Sequence, residues 1–193
     1  MNVFRFITII TIAFILNSCI CRETHLTNAE KQWCAVYDSG QLIVFKSNKN
    51  NLDTFTVVQK SEFHTNNECN CLEVGTTQEH IMRLNLKPKK CHDPYYCELT
   101  ISIEKKSQHT EGIPYFRIYG LEYSGGIDVK KLRTTQITLS TTNKIYNSAF
   151  YFAIGLNAKS FGNNYIQCFY WDKLDGLIRY QGIDGEIFEL FKK

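Results

Sequence analysis

The sequence predicts a mainly β fold, an antiparallel sheet or sandwich built from hairpins, with a short N-terminal helix at most. Short runs rich in Val, Ile, Thr, Tyr and Phe fill the chain after residue 33, and these residue types are enriched in strands. Turn residues separate the runs at short intervals. No long run has the 3.6-residue periodicity of an amphipathic helix, and no long internal repeat is visible.

The first elements of the domain are a helix and a hairpin. Thr27 and Glu30 have the spacing of a capping box, which predicts a brief helix toward Trp33. Residues 33–37 and 42–46 flank an Asp-Ser-Gly turn, and we expect them to pair as a hairpin.

The middle of the chain contains the clearest alternation of apolar and polar residues. It covers residues 97–104 and, in the same pattern, residues 82–87, which predicts half-buried strands with one wet face. We expect another strand at residues 54–59. Residues 113–123 predict a long aromatic strand broken by Gly120.

The last 60 or so residues predict successive antiparallel strands, after one helical turn at residues 128–133. Asp184-Gly185 and Asp175-Gly176 are typical of two-residue hairpin turns, whose central positions require positive φ. The expected strands are residues 136–140, 144–155, 165–171, 176–181 and 186–191.

Composition indicates one globular domain and argues against nucleic acid as a partner. The chain has 193 residues, 44% of them hydrophobic and 21% charged, which are ordinary values for a folded domain. The net charge of +3 is too weak for a nucleic-acid-binding surface.

The N-terminus has the pattern of a secretory signal. Arg5 supplies one positive charge, and residues 6–16 form an apolar run of the length expected for a signal. A spanning helix needs about 20 apolar residues, so a transmembrane anchor is the weaker interpretation. We therefore predict a signal peptide at residues 1–18.

The end of the apolar run resembles a lipobox, the processing site of bacterial lipoproteins. In that family an aliphatic residue, a small residue and an obligatory Cys occupy the places held here by Leu16, Ser18 and Cys19, whereas Asn17 departs from the usual pattern. The resemblance implies that Cys19 becomes the mature N-terminus and carries a diacylglyceryl thioether and an acyl chain such as palmitate. The alternative is an ordinary signal cleaved near Ser18 or Cys21, with no lipid on the product.

The resemblance implies export and a lipid anchor in the membrane of the cell envelope, facing the periplasm or the exterior. Residues 19–26 are then a lipidated tether and residues 27–193 a single β-rich domain. Residues 169–180 (FYWDKLDGLIRY) and 184–190 (DGEIFEL) also resemble the closing hairpin of small uncharacterised bacterial lipoproteins, which implies an antiparallel β domain without a known activity.

The cysteines predict disulfides, because an exported protein meets an oxidising compartment. We expect Cys69 and Cys71 each to pair with Cys91 or Cys97. A disulfide between Cys34 and Cys168 would join distant parts of the chain. Cys21 would then be a free thiol or an intermolecular partner.

The alternative interpretation of the cysteine-rich region is a zinc site made from Cys69, Cys71, Cys91, His92 and Cys97. Their spacing is not that of a zinc ribbon, and export argues against reduced thiolates. We therefore expect no metal and no other cofactor.

No catalytic motif is present in the sequence. The pairs Glu62 with His64 and Glu79 with His80 are interpreted as structural or solvated, since chance supplies such pairs often. The predicted function is a non-enzymatic module that binds an unknown envelope protein or ligand. The alternative is an envelope hydrolase that acts on glycan or lipid through a site assembled from scattered residues.

The aromatic residues of the C-terminal strands are the candidate binding surface. Aromatic side chains occur at both parities there, so either both sheet faces are covered or one face is exposed. In the second case Tyr165, Trp171 and Tyr180 would contact the partner, because large aromatic patches on a surface mark binding. In the first case they belong to a buried core.

Overall fold

The computed structural model describes residues 22–65, 77–90, 98–125, 129–163 and 165–193, and the fold is mainly β, as predicted. One four-residue helix, α1 (Asn28–Lys31), and a 3-10 turn (Val129–Lys131) accompany fourteen strands. The strands are β1 (Arg22–Glu23), β2 (Leu42–Ser47), β3 (Leu52–His64), β4 (Thr77–Gln78), β5 (His80–Pro88), β6 (Leu99–Lys105), β7 (Ile113–Ile118), β8 (Leu121–Tyr123), β9 (Thr134–Thr138), β10 (Ile145–Ala153), β11 (Lys159–Ser160), β12 (Ile166–Asp172), β13 (Gly176–Gly182) and β14 (Ile187–Lys192).

Twelve strands form one curled antiparallel sheet in the order β11-β8-β7-β6-β5-β3-β2-β14-β13-β12-β10-β9. The C-terminal strand β14 lies between β2 and β13, so the two halves of the chain share one sheet. β1 and β4 form a separate parallel pair.

The segment before β12 connects strands that lie far apart in the order of the curled sheet. The amide of Tyr165 donates to the carbonyl of Tyr119 at 3.0 Å, next to β8. The carbonyl of Tyr165 accepts from the amide of Ile183, beside β13, at 3.1 Å. The curled sheet therefore surrounds its apolar side chains without needing a layer of helices.

Aromatic side chains fill the core, and Phe116 lies at its centre. Its ring centroid is 4.9 Å from Trp171, 5.0 Å from Phe152, 5.6 Å from Phe169 and 5.7 Å from Trp33. All five side chains are almost completely buried. Tilted and edge-to-face ring pairs at these distances add to the stabilisation that burial provides.

The predicted hairpin of residues 33–37 with residues 42–46 is only half correct. Residues 42–47 form β2, but residues 32–37 continue from α1 as turns. The amides of Cys34 and Ala35 both donate to the carbonyl of Lys31, so these residues bond locally instead of in a sheet. Residues 33–37 are apolar because Trp33, Cys34 and Tyr37 pack into the core, and not because they form a strand.

Residues 22–26 belong to the fold, so the tether prediction is wrong for them. Thr24 is 1% exposed, and Leu26 is part of the core. The hydroxyl of Thr24 lies 2.8 Å from the carbonyl of Lys105 and 3.1 Å from that of Gln78. The N-terminal segment is thus bonded to the ends of neighbouring strands.

The predicted signal peptide at residues 1–18 and the predicted lipidation site Cys19 lie outside the described residues. Among the residues that the structure does describe, no helix has the length and apolar character needed to cross a membrane.

Candidate metal centre

Three histidines meet at one end of the sheet. His64 ends β3, His80 begins β5, and the two are direct cross-strand partners. His25 follows β1, which the pairing with β4 places beside them. One ring nitrogen from each histidine lies within 4.8 Å of those of the other two.

The three rings lie against one another, and their exposure to solvent decreases from His25 through His64 to His80. His64 and His80 stack with centroids 4.4 Å apart at an angle of 27°. His25 meets them edge-on, at 5.4 Å from His64 and 6.0 Å from His80. His80 is buried, His64 half-buried and His25 exposed, so the cluster is open to solvent on the side of His25.

Hydrogen bonds determine which nitrogens of the two inner histidines hold lone pairs. Nε2 of His64 lies 2.9 Å from the carbonyl oxygen of Thr24 and must donate to it, which leaves Nδ1 as a free acceptor. Nδ1 of His80 accepts from the amide of Leu26 at 2.9 Å, and its Nε2 lies 2.9 Å from Oε1 of Glu62. Both ring nitrogens of His80 are therefore occupied, and His80 can bind a metal ion only if one of these two hydrogen bonds breaks.

The electrostatics of the cluster favour a neutral imidazole at its buried end. Burial lowers the pKa of His80, and the neighbouring His64 lowers it further. The ammonium of Lys31, whose Nζ is 2.5 Å from Oε1 of Glu62, lowers the pKa of that carboxyl group. Folding thus favours the ionised form of Glu62 and the neutral form of His80.

Three imidazoles are a donor set that suits zinc, copper or nickel. A tetrahedral zinc ion has Zn–N bonds of about 2.1 Å, which places its nitrogen ligands about 3.4 Å apart. The ring nitrogens, now within 4.8 Å of one another, would have to approach to that spacing when an ion binds. Three protein ligands leave a fourth coordination position for water or another ligand.

The sequence-predicted binding surface does not form, except for one half-exposed residue. Trp171 is 0% exposed and Tyr180 3% exposed, because both point into the curled sheet. The hydroxyl of Tyr180 donates to Asp53 at 2.5 Å. Tyr165 is 38% exposed. The surface role expected for Trp171 and Tyr180 is wrong, and the alternative assignment to the core is confirmed for them.

The expected disulfide between Cys34 and Cys168 is also absent, since both are buried free thiols. Sγ of Cys34 lies 3.6 Å from the carbonyl of Met82, and that of Cys168 lies 3.9 Å from the amide oxygen of Gln181. The other cysteines and the remaining member of the alternative zinc set lie outside the described residues: Cys19, Cys21, Cys69, Cys71, Cys91, Cys97 and His92.

Sequence reasoning missed the histidine cluster because its members have no motif spacing. His64 and His80 were each interpreted beside a neighbouring glutamate, and both lie at strand ends. Only the register of β3 on β5 brings them together. A search for histidines at the facing ends of successive strands would have found this pair, but not His25.

Comparisons with known proteins provide no relative on which to base a function. No protein family matches the chain, and no curated protein or solved structure does.

Proposed function

We propose that this protein is an exported, lipid-anchored module of the cell envelope that binds a divalent transition-metal ion through His25, His64 and His80. The observation that carries the proposal is the mutual approach of their ring nitrogens to within 4.8 Å. Imidazole nitrogen favours zinc, copper and nickel over magnesium or calcium, which prefer oxygen.

Hydrogen bonds from the surroundings orient two of the three rings of the cluster. The carbonyl of Thr24 orients the ring of His64, and the amide of Leu26 with Glu62 orients that of His80. Carboxylates and carbonyls bonded to a ligand histidine orient the ring and raise its basicity. When an ion binds, the exposed His25 would lose freedom and His80 would exchange one of its two hydrogen bonds for the metal.

Calorimetric titration of the mature protein with Zn²⁺, Cu²⁺ and Ni²⁺ tests the metal proposal. We expect one ion per chain at the cluster and an affinity at least about tenfold lower in His25→Ala and in His64→Ala, because even the groups that support a metal ligand contribute this much. His109→Ala is the matched control, since His109 is an exposed histidine that is not a member of the cluster.

Cysteine thiolates also bind these metal ions, so binding by the wild type does not by itself identify the histidine cluster as the site. The comparison of the variants with the wild type does. Equal affinity in the wild type, His25→Ala and His64→Ala would show that the cluster does not bind the ion.

The proposed anchor is tested separately by the location of the protein in fractionated cells. Cys19→Ala should move the protein from the membrane to the soluble envelope fraction, because two or more acyl chains are what make anchoring stable. Retention of Cys19→Ala on membranes after a high-salt wash would rule out the lipid anchor.

The hydrolase remains the second candidate because three imidazoles would leave a coordination position for water. Zinc lowers the pKa of such a water to about 7 and makes it a nucleophile at neutral pH. Zinc-dependent cleavage of p-nitrophenyl acetate that His64→Ala abolishes would favour this function. Metal binding without such activity would favour the binding module.

A further inference from the structure

The sheet has a free edge at β9, which pairs with β10 on one side only. The strand at the opposite end of the sheet, β11, has only two residues, whereas β9 has five. Within the part of the chain that the structure describes, no strand lies along the free side of β9. An edge strand of this kind carries a row of backbone groups that can pair with another strand.

Every second residue of β9 directs its backbone groups away from β10. The amide of Leu139 donates to the carbonyl of Lys144, and the amide of Tyr151 donates to that of Arg133, both at 3.0 Å. Successive residues of an antiparallel strand face the neighbouring strand alternately. The odd-numbered residues of β9 and its flanks therefore face β10, and the even-numbered residues face away from it.

The residues that face away from β10 are Thr134, Gln136 and Thr138, and all three are exposed. Their backbone N–H and C=O groups have no neighbouring strand among the described residues. The carbonyl of Gln136 has one long contact, at 3.4 Å from the hydroxyl of Thr135. These groups can therefore bond to a strand that is added at the edge.

The sequence of β9 lacks the charges and prolines that commonly protect an edge strand from pairing. It reads Thr-Thr-Gln-Ile-Thr, and β-branched residues such as Thr and Ile favour strands. The irregularity in the ladder with β10 is an extra residue in β10, so no bulge interrupts β9 itself. The free edge is thus regular and uncharged along its whole length.

The outward backbone groups of β9 are symmetric about Gln136. A second copy of β9 that runs antiparallel would place Gln136 opposite itself, and Thr134 opposite Thr138 at both ends. A two-fold dimer needs this property, because the same surface of both subunits must be complementary to itself. We propose that two copies of the protein pair through β9 and continue one sheet across a two-fold axis at Gln136.

The charges near the edge are compatible with this pairing. Threonine would face threonine and glutamine would face glutamine, so no like charges lie directly opposite each other, which would destabilise the pair. Arg133, at the start of β9, would face Leu139 of the second copy. The two Arg133 residues would be about 20 Å apart along the strands. That separation exceeds the Debye length of about 8 Å at physiological ionic strength.

Sedimentation equilibrium of the mature Cys19→Ala protein, which cannot be lipidated at this residue, tests the proposal. One five-residue edge is a small interface beside the roughly 1,200 Å² of stable complexes, so we expect a weak, reversible dimer. Protein concentrations from about 10 µM to about 1 mM cover association of this strength. In the same range, hydrogen exchange of the amides of Thr134, Gln136 and Thr138 should become several-fold slower as the concentration rises.

Exchange of charge at the two-fold axis identifies the interface. Gln136→Lys and Gln136→Glu should each weaken the dimer about fivefold, because two like charges then lie opposite each other. An equimolar mixture of these two variants should associate at least as tightly as the wild type, because opposite charges then meet.

Gln59→Lys is the matched control. Gln59 is exposed like Gln136, and both side chains bond an asparagine of a neighbouring strand at 3.1 Å. Gln59 lies on β3, however, which has β2 and β5 on its two sides and therefore no free edge. This variant should associate as tightly as the wild type.

Three results would overturn the proposal. They are a wild type that remains monomeric at about 1 mM, a dimer that Gln136→Lys and Gln59→Lys affect equally, and a mixture of the two Gln136 variants that associates no more tightly than either variant alone. Wild-type dispersion of the NMR spectrum shows that each variant is folded.

Discussion

Glu62 and His80 are bonded side chain to side chain, with Oε1 of the carboxylate 2.9 Å from Nε2 of the imidazole. The same oxygen contacts the ammonium of Lys31 at 2.5 Å. Glu62 is therefore shared between a cation on α1 and the buried member of the histidine cluster. A metal ion at the cluster would compete with Lys31 for this negative charge.

Glu62→Gln should weaken binding of Zn²⁺ about tenfold, because the amide can neither coordinate the ion as a charged ligand nor raise the basicity of His80. Calorimetric titration measures the change. Glu98→Gln is the control, since Glu98 is exposed and precedes β6 at the end opposite to Lys105, the cross-strand partner of His80. An unchanged affinity in Glu62→Gln would mean that the carboxylate has no part in metal binding.

Lys31→Met should strengthen binding of Zn²⁺ a few-fold, since it removes a positive charge beside the site and releases Glu62. The same titration measures this opposite effect, and raised salt should reduce it. Lys49→Met removes an equally charged side chain that pairs with Asp184 instead. Weaker binding in Lys31→Met would contradict the competition between ammonium and metal.

The acid stability of the fold should depend on Glu30. Burial alone would raise the pKa of Glu30, but backbone hydrogen bonds from Thr27 and Gly112 and the ammonium of Lys105 lower it from its ordinary value of 4.5 to about 2. The folded state thus favours the ionised form. The stabilisation is complete above about pH 4.5 and is lost as the pH falls toward 2.

Urea unfolding of Glu30→Gln measures this contribution. At pH 7 the variant should lose about 2–3 kcal/mol of unfolding free energy, and the difference from wild type should shrink between pH 4.5 and pH 2.5. Glu111→Gln removes an exposed carboxylate and should change stability by less than about 0.5 kcal/mol. A difference for Glu30→Gln that is constant with pH would contradict the assignment.

Gly176 should not tolerate a side chain. Its φ is +80°, and a Cβ atom there would overlap the phenol ring of Tyr37, whose hydroxyl accepts from the amide of Leu177. Gly176→Ala should destabilise the fold by about 3–5 kcal/mol. Gly185→Ala has the same backbone strain, with φ +81° but open space around it, and should lose about 1–2 kcal/mol.

Thermal unfolding measures the destabilisation of the two glycine variants. The difference between them is the contribution of the overlap with Tyr37. Equal destabilisation would show that the contact with Tyr37 relaxes at little cost.

The thiol of Cys34 should be unreactive in the native protein. Burial raises its pKa to about 12, so the reactive thiolate is scarce and inaccessible at pH 8. Iodoacetamide followed by peptide mapping should label Cys34 only after denaturation. A bridge between Cys34 and Cys168 in the non-reducing map would contradict the structure.

The local pattern of the sequence predicted most strands, but not how they meet. The alternation at residues 97–104 predicted β6, and the turn signal at Asp184-Gly185 predicted the hairpin of β13 and β14, because both depend on near neighbours. The curling of the sheet depends on contacts between distant residues, such as Tyr119 with Tyr165.

The same limit explains the errors at individual sites. Trp171 and Tyr180 were assigned to a surface because no helix was available to cover a second sheet face, yet the curled sheet covers that face itself. His64 and His80 gave no signal, because their meeting is a consequence of strand register.

The bonding of Thr24 has a mechanical consequence if the chain is anchored before Arg22. A pull toward the membrane would first load β1 and its hydrogen bonds with β4. Thr24 adds bonds to Gln78, Lys105 and the amide of His80 at the same point. A pull on the tether would thus be spread over the ends of β4, β5 and β6 and would act on the domain as a whole.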